Sequence, residues 1–136
     1  MVPLMILSFI IVGLVSTIRS FISMNHTRNQ HFSVENVILL ILIYLTVLIG
    51  FGLIYVLLSA FGYPVLLEGG FPISGSFPYK LETSMYFSAV TLLTVGYGDI
   101  TPIGVGRWIA VVESLLGYSI PMAFVVRMVI NVDRSQ

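Results

Sequence analysis

The stretch TLLTVGYGDITP, residues 91–102, places two glycines, a tyrosine and a bare carboxylate between apolar runs. The chain around it is 57% hydrophobic and 9% charged, with a mean hydropathy of +1.04. Soluble domains are about a quarter charged, so the solvent for most of this chain is lipid. Non-helical backbone at membrane depth is tolerated only where protein buries it or where it lines a watery cavity, because an unpaired carbonyl in hydrocarbon costs several kcal/mol. The carbonyls of such a segment therefore need something to bind. Gly96 and Gly98, at alternate positions, can take conformations closed to other residues, which lets successive carbonyls turn to one side. Repeated about a symmetry axis, such a strand stacks rings of hard oxygen ligands that replace the hydration shell of a cation.

On the N-terminal side, residues 37–61 carry no charge and exceed the roughly 20 helical residues needed to cross a hydrocarbon core. Gly50 and Gly52 leave flat places on that span for a close neighbour. On the C-terminal side, residues 106–130 are apolar except for Arg107 at the edge, Glu113 and Arg127, and contain Gly117 and Pro121, so a second span with a bend is expected. Residues 81–93 read as a helix of about 18 Å, too short to cross, with Glu82 suited to its positive N-terminal end. Residues 1–18 are uncharged but lack the basic start and small-residue cleavage site of a secretory signal. They read as an extra N-terminal span; the alternatives are an uncleaved signal-like segment and a helix lying along the interface.

The organisation expected is thus a hydrophobic segment and linker (1–33), an outer transmembrane helix (34–62), a turret, short helix and ion-binding strand (63–103), and an inner transmembrane helix with a short tail (104–136). Arg19, Arg28, Arg127 and Arg134 flank the spans on one side, and the positive-inside rule puts linker 19–35 and the C-terminus in the cytoplasm of a multi-pass cell-membrane protein. Balanced charge argues against nucleic acid, and the absence of cysteine removes disulfides and thiolate chemistry. No small-molecule substrate, cofactor or enzymatic nucleophile–base pair is evident. The sequon at Asn25 and the GVG at 104–106 lack the context their motifs need.

With these residues in place, the sequence resembles the pore module of the tetrameric potassium channels, over roughly residues 37–130. The resemblance rests on TVGYG at 94–98, Asp99 after it, GRW at 106–108 and Gly117 in the inner helix. It implies an all-α membrane protein: two core spans, a re-entrant pore helix and a selectivity filter, assembled as a homotetramer in the lipid bilayer. The carbonyls of Thr94, Val95, Gly96 and Tyr97, with the Thr94 hydroxyl, would then coordinate K⁺ as permeant ligand, and Gly98 would complete the mouth. Asp99 would stand behind the filter with Tyr86 as donor, and Tyr97 would pack against Tyr86 and Phe87. The family's proton-sharing glutamate is replaced by Val90, and Leu93 stands where threonine or serine is usual.

Several other residues call for a role. Glu113 is an ionisable group inside a span, with Ser84, Ser88 or Thr91 as candidate partners; it either braces helices or senses pH. Gly117 and Pro121 form either a gating hinge or a static kink. Phe124, Val125, Met128 and Val129 are candidates for a lower hydrophobic constriction. The function expected is passive K⁺ conduction; the alternatives are a weakly selective cation channel and a non-conducting regulatory subunit. No span carries the repeated arginines of a voltage sensor, so the sequence predicts simple gating, by pH, tension or the filter, or a pore belonging to a larger protein.

Overall fold

The computed structural model describes the backbone of residues 34 to 133 and the side chains of 37 to 126, with a few isolated positions before residue 20. The expected N-terminal span falls almost wholly outside the described residues. Helix α1 runs Val34–Ala60, strand β1 Leu66–Glu68, β2 Phe71–Pro72, helix α2 Phe77–Leu92, strand β3 Ile100–Pro102 and helix α3 Val105–Asp133. Two of these helices, over Val37–Ala60 and Val105–Val126, are long and apolar enough to cross a membrane.

Helix α1 is apolar all round, so its orientation is decided by what it touches rather than by an amphipathic pattern. Ile43, Val47, Phe51, Ile54 and Tyr55 form the stripe turned to the rest of the protein, while Ile38, Ile41, Leu42, Leu45 and Ile49 stay exposed. An apolar face of this kind is what a lipid-facing helix presents. Helix α2 lies chiefly against α1 and secondarily against α3. The close approach expected at Gly52 is made by Met85 of α2, whose sulfur would sit 2.4 Å from any added Cβ.

Helix α2 begins at Phe77, four residues earlier than the sequence predicts. Pro78 stands in its first turn, where a missing N–H leaves no bond unmade, and Ser76 is extended at the cap. Glu82 consequently lies beyond the first turn, not in it. At 16 residues the helix is about 24 Å long, still short of a crossing.

The all-α expectation also needs a correction. The connections at one end of the helices form a three-stranded sheet of order β2-β1-β3, antiparallel throughout. Leu67 pairs with Pro72 on one side and Thr101 on the other. Ile103 N–H extends the contact to the Val65 carbonyl at 2.8 Å. Val65, Leu66, Ile73 and Ile100 are buried beneath these strands. The segment that follows α2 is therefore held at its far end by pairing to the strand that follows α1.

Candidate functional site

Between α2 and β3 the chain runs through residues 93–99 with every residue exposed, Tyr97 at 73%. Its backbone alternates in hand. Thr94 (φ 58°), Gly96 (57°) and Gly98 (80°) have positive φ, and Val95 and Tyr97 do not. Thr94 is the sole non-glycine with positive φ among the described residues, and for a β-branched side chain that is a costly conformation. Strain of this sort, of order 1–3 kcal/mol, persists only where surrounding bonds over-determine it.

Those bonds are visible. Thr94 N–H donates to the Thr91 carbonyl at 3.1 Å, and the N–H groups of Val95 and Gly96 both donate to the Val90 carbonyl, at 2.8 and 3.1 Å. No peptide bond here is cis, so the N–H and C=O of each planar unit point in opposite directions. The carbonyls of Thr94 and Val95 accordingly turn together, away from the Val90 carbonyl that their partner amides share.

Beside this segment, Tyr86 Oη donates to Asp99 Oδ2 at 2.8 Å, the pairing the sequence suggests. The bond to Asp99, with some burial, raises the Tyr86 phenol above its ordinary 10.0. At the sheet, Tyr79 Oη donates to Glu68 Oε2. Phe87 departs from expectation. Instead of meeting Tyr97 it is buried against α1, its ring edge-on to Tyr55 with centroids 5.1 Å apart. The reason is helical geometry, since adjacent positions 86 and 87 are about 100° apart and cannot both face the strand.

Glu113 has no exposed surface. Of the three candidate partners on α2, Ser84, Ser88 and Thr91, Ser88 is the one that meets it, bonding to Oε1, while Tyr55 Oη donates to Oε2 at 2.9 Å. Ser88 Oγ also lies 2.9 Å from the Leu48 carbonyl of α1. Ser84 Oγ is buried without a partner among the described residues.

Within α3, Pro121 has no N–H to give to the Gly117 carbonyl. Tyr44 of α1 supplies the missing bond, its Oη donating to Gly117 O at 2.6 Å. Gly117 is also closely packed: a Cβ there would lie 2.0 Å from the Leu92 carbonyl at the end of α2. A cleft of about 350 Å³ opens below Thr94, lined by Leu93, Thr94, Gly117, Pro121, Met122 and Val125. Phe124 is half-buried and Val125 exposed; the side chains of Met128 and Val129 lie outside the described residues.

Tyr44 and Tyr55 are the functional-site residues that sequence reasoning passed over. The signal was present: two phenols in an uncharged span, eleven residues apart and so within about 20° of one helical face. A phenol in lipid seeks a partner.

The family described as an ion channel matches residues 43–134. Protein LctB of Geobacillus stearothermophilus is 40% identical over 121 residues, covering 89% of this chain and 90% of its own. Protein LctB of Bacillus caldotenax is 41% identical over 120 residues, covering 88% and 90%. No solved structure matches.

Proposed function

The chain belongs to the ion channel family, and on that premise we propose that it is the pore subunit of a K⁺-selective channel, four copies surrounding one axis. The observation that carries this reading is the convergence of the Val95 and Gly96 amides on the Val90 carbonyl. It leaves the Thr94 and Val95 carbonyls facing the open side together, where a cation would meet them. Helix α2 is then the re-entrant pore helix and residues 94–98 the selectivity filter. Thr94, Val95, Gly96 and Tyr97 coordinate K⁺ through their carbonyls, with the Thr94 hydroxyl closing the innermost site and Gly98 the mouth. Asp99 and Tyr86 brace the filter from behind. One chain offers one arc of oxygens, and a closed ring requires symmetry-related copies.

Gly117 and Pro121 serve as the hinge of the inner helix, and Phe124, Val125, Met128 and Val129 as the hydrophobic constriction beneath it. Linker 19–35 and the C-terminus face the cytoplasm.

The test is flux from liposomes carrying the purified chain under a K⁺ gradient, with Na⁺ as competitor. K⁺ flux well above Na⁺ flux is expected. Gly96→Ala should abolish that flux, because a Cβ at φ 57° costs roughly 1–2 kcal/mol in each of four copies. Equal K⁺ and Na⁺ flux would make the protein a weakly selective cation channel. No flux from a folded, inserted chain would make it a regulatory subunit.

A further inference from the structure

Glu113 is a buried acid that ion coordination does not use. Its surroundings can be counted hydrogen by hydrogen. Tyr55 Oη has one hydrogen and donates it to Oε2. Ser88 Oγ has one hydrogen and two acceptor-bearing neighbours, the Leu48 carbonyl and Glu113 Oε1. A main-chain carbonyl can only accept. If Ser88 gives its hydrogen to Leu48, the contact between Ser88 Oγ and Oε1 needs a hydrogen from the carboxyl itself. If Ser88 gives it to a carboxylate, two oxygens of α1 and α2 face each other at 2.9 Å with nothing between them. Only a carboxylic acid satisfies every contact. The site also offers no counter-charge, since no basic side chain pairs with Glu113 among the described residues, and an unpaired charge buried in a membrane is costly.

We propose that Glu113 holds its carboxyl proton on Oε1 and donates it to Ser88, making this neutral acid the positioning residue that locks α2 to both spans. Ser88 stands two residues before Val90, whose carbonyl receives the Val95 and Gly96 amides. The chain of bonds thus runs from Tyr55 on α1 and Glu113 on α3, through Ser88, to the turn that sets the direction of the filter carbonyls. The inference rests on the proposed channel function for its consequence, though not for its chemistry.

The experiment compares the full chain with Glu113→Gln, Glu113→Ala and Ser88→Ala, in lipid at neutral pH. Infrared spectroscopy should show a protonated-carboxyl C=O stretch that disappears in Glu113→Gln and moves in Ser88→Ala. A carboxamide presents a donating nitrogen toward Ser88 and an accepting oxygen toward Tyr55, as the acid presents O–H and C=O, so Glu113→Gln should keep K⁺ flux and K⁺-over-Na⁺ preference within about twofold. Glu113→Ala leaves Tyr55 Oη without its acceptor and Ser88 Oγ without its donor, and should lower that preference roughly tenfold. Absence of a carboxyl band that Gln removes, or a band indifferent to Ser88→Ala, overturns the proposal. So does a Gln variant as impaired as the Ala variant. The infrared reading needs no conduction, so a silent wild type refutes the channel function while the band still decides the state of Glu113.

Discussion

Tyr86 and Asp99 form the pair whose consequences are most direct. The Asp99 carboxylate accepts the phenol hydrogen, and this bond, followed by burial, favours the neutral phenol and raises it above 10.0. A group whose folded value exceeds its unfolded value stabilises the fold fully below the unfolded value, and that contribution is lost as pH rises through the folded one. The window therefore opens at about pH 10 and extends upward. Replacing Tyr86 by phenylalanine should lower thermal stability at neutral pH and flatten its decline above that point. A decline just as steep in Tyr86→Phe would assign alkaline unfolding elsewhere, for instance to Tyr79, whose bond to Glu68 shifts it in the same direction.

The proline in α3 involves more than one helix. Proline frees the Gly117 carbonyl, and Tyr44 from α1 occupies it. Removing that hydroxyl with Tyr44→Phe should cost about 1 kcal/mol, and Pro121→Ala, by restoring an N–H, should make the hydroxyl dispensable. A double-mutant cycle on thermal unfolding in detergent is expected to show coupling of about that size. Strict additivity would mean that the two residues act separately. The same geometry bears on the proposed hinge. Gly117→Ala drives a Cβ into the Leu92 carbonyl, so it perturbs the contact between α2 and α3 whatever the helix does in gating. Pro121 is the better place to examine bending.

Taken as a whole, the protomer leaves uncovered the surface that matters. Tyr97 is 73% exposed and Val95 50%, beside backbone held in strained conformations. In the proposed tetramer these side chains find neighbours in adjacent copies. Hydroxyl-radical labelling should accordingly modify Tyr97 slowly in the assembled protein and several-fold faster once detergent dissociates it, while Tyr55, with no exposed surface, stays protected in both. Equal labelling of Tyr97 in the two states would count against burial of that ring by a neighbour. The sheet gives the whole molecule its other constraint, because β3, directly after the exposed segment, is paired to β1, a short turn after α1.

Much of this was legible in the sequence because it depends on local rules. An uncharged run of sufficient length must cross or be buried, a proline must free a carbonyl, and glycines at alternate positions permit a backbone that other residues resist. The short helix was placed but its start was misjudged, since Pro78 reads equally as the end of a loop or the first turn of a helix. What tertiary structure alone decided was direction. An all-apolar helix carries no periodic mark of its inner face, so only packing shows that Tyr44 and Tyr55 point to α3, that Ser88 rather than Ser84 meets Glu113, and that Phe87 turns to α1 instead of Tyr97. The outer sheet was hidden for a related reason. Strands of two or three residues are too short to show alternation, and the pairing of β1 with β3 joins segments more than thirty residues apart.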